Sequence, residues 1–261
     1  MGNIIQKELR IAKTKMFEEV TYNNKKLVKL TTDNVAIVEA MIRNDSAYIK
    51  STDISAGPKF DRKNQLVYGG SSAYWMTMLK SVLIKNKEVN YTYEELIKGA
   101  VEAVDRENST HLNADKCGRT EIVRRICAFD CSELIECLRN PEYEDMKLVH
   151  EIARVTSAKF RARTNLSFAS KFCHYACFYL FENTEYQDNY SIYDNILRTV
   201  LPMYLVYFNI TERYDLRDYK QYRNAVDMIR NAADEKISRN GFDHLLWYYH
   251  KGRMGKFVIG G

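Results

Sequence analysis

Apolar positions recur at helical spacing along most of the chain. Thr32 and Asp33 cap a helix that runs to Arg43, and the stripe Tyr74, Trp75, Met78, Leu79, Val82 and Leu83 predicts another over 73–85. Thr92-Tyr93-Glu94-Glu95 is a capping box opening a helix that runs to about Arg106. Thr120 and Ser132 read as N-caps of two short helices, and Asn140-Pro141 breaks the chain after them. A longer helix is predicted over 143–163. Thr164-Asn165-Leu166-Ser167-Phe168 then interrupts it, and a second begins at Ala169-Ser170-Lys171 and continues to Phe181, apolar on nearly every face. A polar loop over 183–191 leads into Tyr193-Asp194-Asn195 and a helix bearing Ile196, Leu197, Val200 and Leu201. A charged helix over 216–237 follows, and a last one carries Phe242, Leu245, Leu246, Trp247 and Tyr248. Strand signals are confined to 26–30 and 65–68, and no internal repeat or low-complexity segment is present.

The expected fold is therefore mostly α. Gly57-Pro58 and Gly69-Gly70-Ser71-Ser72 make 53–72 the best linker, which divides the chain into an N-terminal region over 1–70 with short strands, a helical part over 71–140 and a third part over 141–261. Composition sharpens this picture. With 11 Gly, 3 Pro and 46% hydrophobic residues among 261, the chain is neither disordered nor a turn-rich all-β protein. Tyr, at 19 residues against 2 Trp, suits wet surfaces that stack on a polar partner. The start Met1-Gly2-Asn3-Ile4-Ile5-Gln6 has no apolar signal region, and Gln6 stands where a myristoylation signal needs Ser or Thr. A cytoplasmic protein with free thiols and no membrane segment is expected. The spacing of Cys117, Cys127, Cys131 and Cys137 fits neither a zinc ribbon nor an iron–sulfur site, so ordinary buried thiols, no metal and no cofactor are expected. Cys173, His174 and Cys177 read as core packing on one helix.

The formal net charge is only +5, which permits a nucleic-acid partner without arguing for one. Its distribution is more informative. Residues 153–171 hold Arg154, Lys159, Arg161, Arg163 and Lys171 with no acidic residue. Such a run also complements a helix C-terminus. Lys171 goes further, because a cation in the first turn of an apolar helix stands at the wrong end of the dipole and in a poor solvent for charge. Both effects lower the pKa of an amine, as a nucleophilic lysine requires. A lysine snorkelling from a helix end is the alternative. Asp194 follows at the head of the next helix, where an N-cap carboxylate is held ionised; a plain N-cap is its alternative.

A helix, a short hairpin, a second helix opening with Lys171, a loop and then Asp194 form a recognisable constellation. Thr164-Asn165-Leu166-Ser167-Phe168-Ala169-Ser170-Lys171-Phe172-Cys173-His174, with Tyr190-Ser191-Ile192-Tyr193-Asp194, resembles the helix-hairpin-helix DNA glycosylases, most closely the 8-oxoguanine glycosylase branch. The likeness covers residues 145–205. It implies helical halves flanking a central cleft, with the hairpin at its floor. Where the family's hairpin carries glycines, this chain has Asn165, Leu166, Ser167 and Phe168. Asn165, Ser167 and Ser170 are then the side-chain donors to DNA phosphates, with Arg161 and Arg163 on neighbouring ones.

The resemblance further implies that a nucleotide of double-stranded DNA is flipped into a pocket, assigned here to Tyr74, Trp75, His174 and Tyr193. Core packing is the alternative for Tyr74, Trp75 and His174. Lys171 attacks the sugar and Asp194 stabilises the developing sugar cation. Some members look like defence proteins against modified phage DNA, which suggests a glucosylated or hydroxymethylated cytosine as target and a monomeric enzyme. An oxidised-guanine glycosylase/lyase, a non-catalytic DNA-binding protein of the same fold and an unrelated helical interaction protein are the other expectations. His244 and His250 read equally as DNA contacts and as surface residues.

Overall fold

The computed structural model describes residues 17–60, 66–67, 69–108, 110, 112, 118–157 and 160–251. They are mostly helical, with three small two-stranded antiparallel ladders. They fall into two compact units, Met1–Tyr48 with Tyr193–Gly261 and Ile49–Ile192. The sequence boundaries at 70 and 140 both lie inside the second unit. Among the described residues no helix is long and apolar enough to cross a membrane.

The first unit opens with β1 (Glu19–Tyr22) paired to β2 (Lys25–Val28) through Asn23 and Asn24, whose φ values of 47° and 59° are left-handed. Asparagine tolerates that conformation, which a tight two-residue hairpin turn needs. The helix α1 (Thr32–Ile42) is capped by Thr31, one residue before the expected position. Asn34 ties it to the chain around the hairpin. Only 1% exposed, its amide accepts from the Glu18 N–H at 3.1 Å and donates to the Glu18 and Lys29 carbonyls at 3.0 and 2.9 Å. A short α2 (Ser46–Thr52) continues the chain into the second unit's segment.

In the second unit β3 (Lys59–Phe60) pairs with β4 (Leu66–Val67). α3 (Ser72–Leu83) is capped by Ser71. α4 (Tyr93–Asn108) opens on the predicted capping box, with the Glu95 N–H donating to the Thr92 hydroxyl at 3.2 Å and the Thr92 N–H to the Glu95 carboxylate at 2.7 Å. α5 (Gly118–Ile126) and α6 (Cys131–Arg139) follow. Thr120 and Ser132 both lie inside these helices. The cap of α6 is Asp130, whose carboxylate takes the Glu133 N–H at 2.8 Å.

The largest departure from expectation lies between 143 and 165. The predicted helix is only α7 (Lys147–Ala153). β5 (Arg154–Ser157) and β6 (Phe160–Thr164) then form an antiparallel hairpin, with Val155 opposite Arg163 and an irregularity between Val155 and Ser157. Its base is closed by the Asn165 N–H on the Ala153 carbonyl at 2.7 Å. β-Branched Val155 and Thr156 and the alternation along Phe160-Arg161-Ala162-Arg163-Thr164 suit strands, whereas Ala and Arg suit either state.

α8 (Leu166–Leu180) is the centre of the unit, packed by α3, α4, α6 and α7. Phe168, Phe172, Cys173, Ala176 and Cys177 are buried in it. Beyond a short 3-10 turn (Glu185–Asp188), the chain returns to the first unit with α9 (Asn195–Tyr207), α10 (Tyr219–Ala232) and α11 (Arg239–Lys251). α10 is shorter than the predicted 216–237. α11 packs on α1, α9 and α10, and the Tyr204 hydroxyl donates to the Val28 carbonyl at 3.0 Å, fixing α9 to the hairpin.

Candidate functional site

Lys171 belongs to Ile49–Ile192 and Asp194 to the other unit. Each is placed by its own helix start. The Asn165 side chain caps α8, accepting from the Phe168 N–H at 3.0 Å. Because α8 starts at Leu166 and not at 169, Lys171 stands in its second turn, where the helix dipole acts more weakly than in the first. Its side chain is half-buried, and the amine donates to the Ser167 hydroxyl, one turn back, at 3.3 Å. Asp194 is the N-cap of α9, as expected, its carboxylate taking the Ile196 N–H at 2.7 Å. Half-buried Tyr193 beside it stacks obliquely on Tyr222 at 4.9 Å between centroids, and its hydroxyl accepts from Arg198 at 3.1 Å.

The residues assigned to DNA contact divide. Asn165 is the helix cap and Ser167 is Lys171's partner. Ser170 is wholly buried, with its hydroxyl donating to the Ser167 carbonyl at 3.3 Å, which removes it from any solvent-facing phosphate contact. Arg161 and Arg163 stand two residues apart on β6, and their side chains lie outside the described residues.

The residues assigned to the base pocket also divide. Trp75 is 0% exposed and its indole N–H donates to the Gly69 carbonyl at 2.7 Å, so it is a core residue with no face to offer a base. His174, 2% exposed, is core too, its Nδ1 hydrogen-bonded with the Tyr190 carbonyl at 2.9 Å. Tyr74 keeps part of its ring exposed, and its hydroxyl meets that of Tyr91 at 3.0 Å; burial, then that hydrogen bond, push its pKa up to about 12. His250 contacts the Tyr204 hydroxyl at 3.3 Å.

The thiols are only partly as expected. Cys137, Cys173 and Cys177 are buried, Cys127 is half-buried and Cys131 is exposed, all five as free thiols; Cys117 lies outside the described residues. Among the described residues no His, Cys, Asp and Glu group is arranged to hold a metal.

Three residues that the sequence reading did not single out link α8 and α3 to the end of α4. Tyr175 follows Lys171 by one helical turn and donates its hydroxyl to Asn108 at the end of α4, at 3.1 Å. Glu107, next in the chain, accepts the Ser72 N–H at the start of α3 on Oε1 at 3.0 Å. Its second oxygen, Oε2, is buried without a hydrogen-bond partner, and burial raises the carboxyl's pKa. The spacing of Lys171 and Tyr175 was visible in the sequence, but the packing of α3 and α4 on α8 was not.

A family model described as HI_0787_N, N-terminal domain, matches residues 72–179. That span, under half of the chain, begins with α3 and ends within α8, and it includes Lys171 but not Asp194. No curated protein and no solved structure matches the chain.

Proposed function

We propose that the protein is a DNA glycosylase of the helix-hairpin-helix kind, which extrudes a modified base from double-stranded DNA and releases it to leave an abasic site. The observation that carries this reading is Lys171: a half-buried amine near the start of an otherwise largely buried helix, held at Ser167 and one turn before Tyr175, whose hydroxyl donates to Asn108. An amine so placed is partly withdrawn from bulk water, and a nucleophilic lysine acts through its uncharged form.

In this reading the uncharged Lys171 nitrogen bonds to C1′ of the extruded nucleotide as the C1′–N bond breaks. The base departs with that electron pair and takes up a proton, and the nitrogen loses one. Opening of the sugar ring at O4′ gives an imine, from which loss of a 2′ proton expels the 3′ phosphate. Asp194 supplies the negative charge that stabilises the sugar cation while the base leaves. The basic stretch with Arg154, Lys159, Arg161 and Arg163 serves the phosphate backbone. The target we favour is a glucosylated or hydroxymethylated cytosine of phage DNA, met by a monomeric enzyme in the cytoplasm, with no metal or cofactor. Oxidised guanine is the competing substrate.

A screen of duplexes carrying single modified cytosines or guanines, scored for abasic sites, tests this. Release of a modified base by the wild type and not by Lys171→Gln is expected. Tight DNA binding with no release from any substrate would instead identify a non-catalytic DNA-binding protein.

A further inference from the structure

Asp194 caps α9 from extended backbone, at φ −126° and ψ 147°, and its carbonyl accepts the Arg198 N–H at 2.9 Å. Its Oδ1 takes the Ile196 N–H, which leaves Oδ2 for the sugar cation of the reaction above. Tyr193 and Asp194 belong to no helix or strand, so the direction of this carboxylate depends on what grips the two residues from outside. Tyr222 of α10, wholly buried, meets both. Its ring lies against that of Tyr193 at 58° between planes, and its hydroxyl shares a hydrogen bond with the Asp194 main chain. Tyr219, one turn earlier and also wholly buried, stacks on the Tyr222 ring at 6.4 Å and 22°. Arg198 braces the cap from α9, donating to the Tyr193 hydroxyl at 3.1 Å and to Asn195 Oδ1 at 2.8 Å.

A charge stabilises a developing cation best from a place fixed beforehand, because a group that must reorient during the reaction gives back part of what it gains. A misplacement of about 1 Å can slow a reaction by about 10²-fold. We infer that Tyr222 is a positioning residue for base release, holding the Tyr193–Asp194 cap so that the Asp194 carboxylate faces the sugar. This rests on the glycosylase reading and on the part of Asp194 in it. Tyr222, being wholly buried, acts through Asp194 and touches no substrate.

The test measures single-turnover base release and DNA affinity for the wild type, Tyr222→Phe, Asp194→Asn and the double variant, on a modified duplex from which the wild type releases the base. Tyr222→Phe keeps the ring and loses only the hydroxyl. It is expected to slow release by roughly 10-fold at unchanged DNA affinity, and to slow Asp194→Asn no further, because the hydroxyl acts through that carboxylate. A hydroxyl that served the fold alone would slow both backgrounds alike. Release at the wild-type rate by Tyr222→Phe, or equal slowing in both backgrounds, would overturn the inference and leave the glycosylase reading standing. So would an Asp194→Asn protein of full activity. Should Tyr222→Phe fail to unfold cooperatively, Tyr193→Leu, at a half-buried position, loosens the same cap from the other ring, and the same comparison with Asp194→Asn decides. A wild type that releases no base from any modified DNA would overturn both the inference and the reading.

Discussion

Trp75 lies so close to Gly99 that a β-carbon at position 99 would stand 2.3 Å from the indole Cδ2. The contact joins α3 to α4, and neither backbone can retreat without disturbing the start of α3, which Glu107 holds. In an open helix, Gly to Ala would gain about 0.5–1 kcal/mol from reduced chain entropy. Here overpacking opposes it at about 1–3 kcal/mol, so Gly99→Ala is expected to lower stability, read as a lower denaturant midpoint at unchanged slope.

Asp105, 4% exposed, accepts two bonds from Arg119 at 2.9 and 2.8 Å, the Thr110 hydroxyl at 2.6 Å and the Leu112 N–H at 3.0 Å. Removing one partner of a buried pair strands the other, so Asp105→Ala is expected to cost about 3–5 kcal/mol in urea unfolding. Lys26→Ala, which breaks an ion pair whose lysine is more than half exposed, should change stability by less than about 1 kcal/mol.

Glu107 makes stability depend on pH in a defined direction. Burial raises its pKa above the ordinary 4.5, so the folded state holds a proton that the unfolded chain has released, and stability falls as pH rises from 4.5 through the raised value. Glu107→Gln lacks this loss. Its stability relative to the wild type should therefore rise as pH increases from 4.5 through the raised pKa. Parallel unfolding curves across that range would show that the carboxyl titrates as it does in the unfolded chain.

Thiol reactivity should follow burial. Cys131 is exposed, whereas burial pushes the Cys173 and Cys177 thiols well above their usual range and, with Glu94 nearby, moves Cys127 up to about 11. With a thiol reagent at mildly alkaline pH, peptide mapping of native protein should find Cys131 modified first among the five described cysteines. Cys173 and Cys177 should react only on unfolding.

Local rules made much of the fold legible. The Thr92 and Glu95 box and the Asp194 cap lie where side-chain chemistry demands them, because each needs only neighbours within one turn. The hairpin at 154–164 escaped because its Ala and Arg residues suit a helix as well as a strand, and pairing across the hairpin decides between them. Asp130 outcompeted Ser132 as a cap by beginning α6 earlier. The same limit applies at the site. Lys171 announced itself as a cation near an apolar helix start, but the burial of Trp75, His174 and Ser170 depends on which helices pack against them, and so does the unpaired oxygen of Glu107.

The central claim is that Lys171 attacks the sugar, and trapping the imine tests it most directly. Incubating the protein with a duplex carrying the excised base, in the presence of borohydride, should reduce the imine to a stable amine and yield a protein–DNA adduct that peptide mapping places on Lys171. Asp194→Asn should form it more slowly, by roughly 10²–10³ if loss of one well-placed charge has its usual effect. Lys171→Gln should form none. An adduct of undiminished yield in Lys171→Gln, mapped to another lysine, would contradict the account.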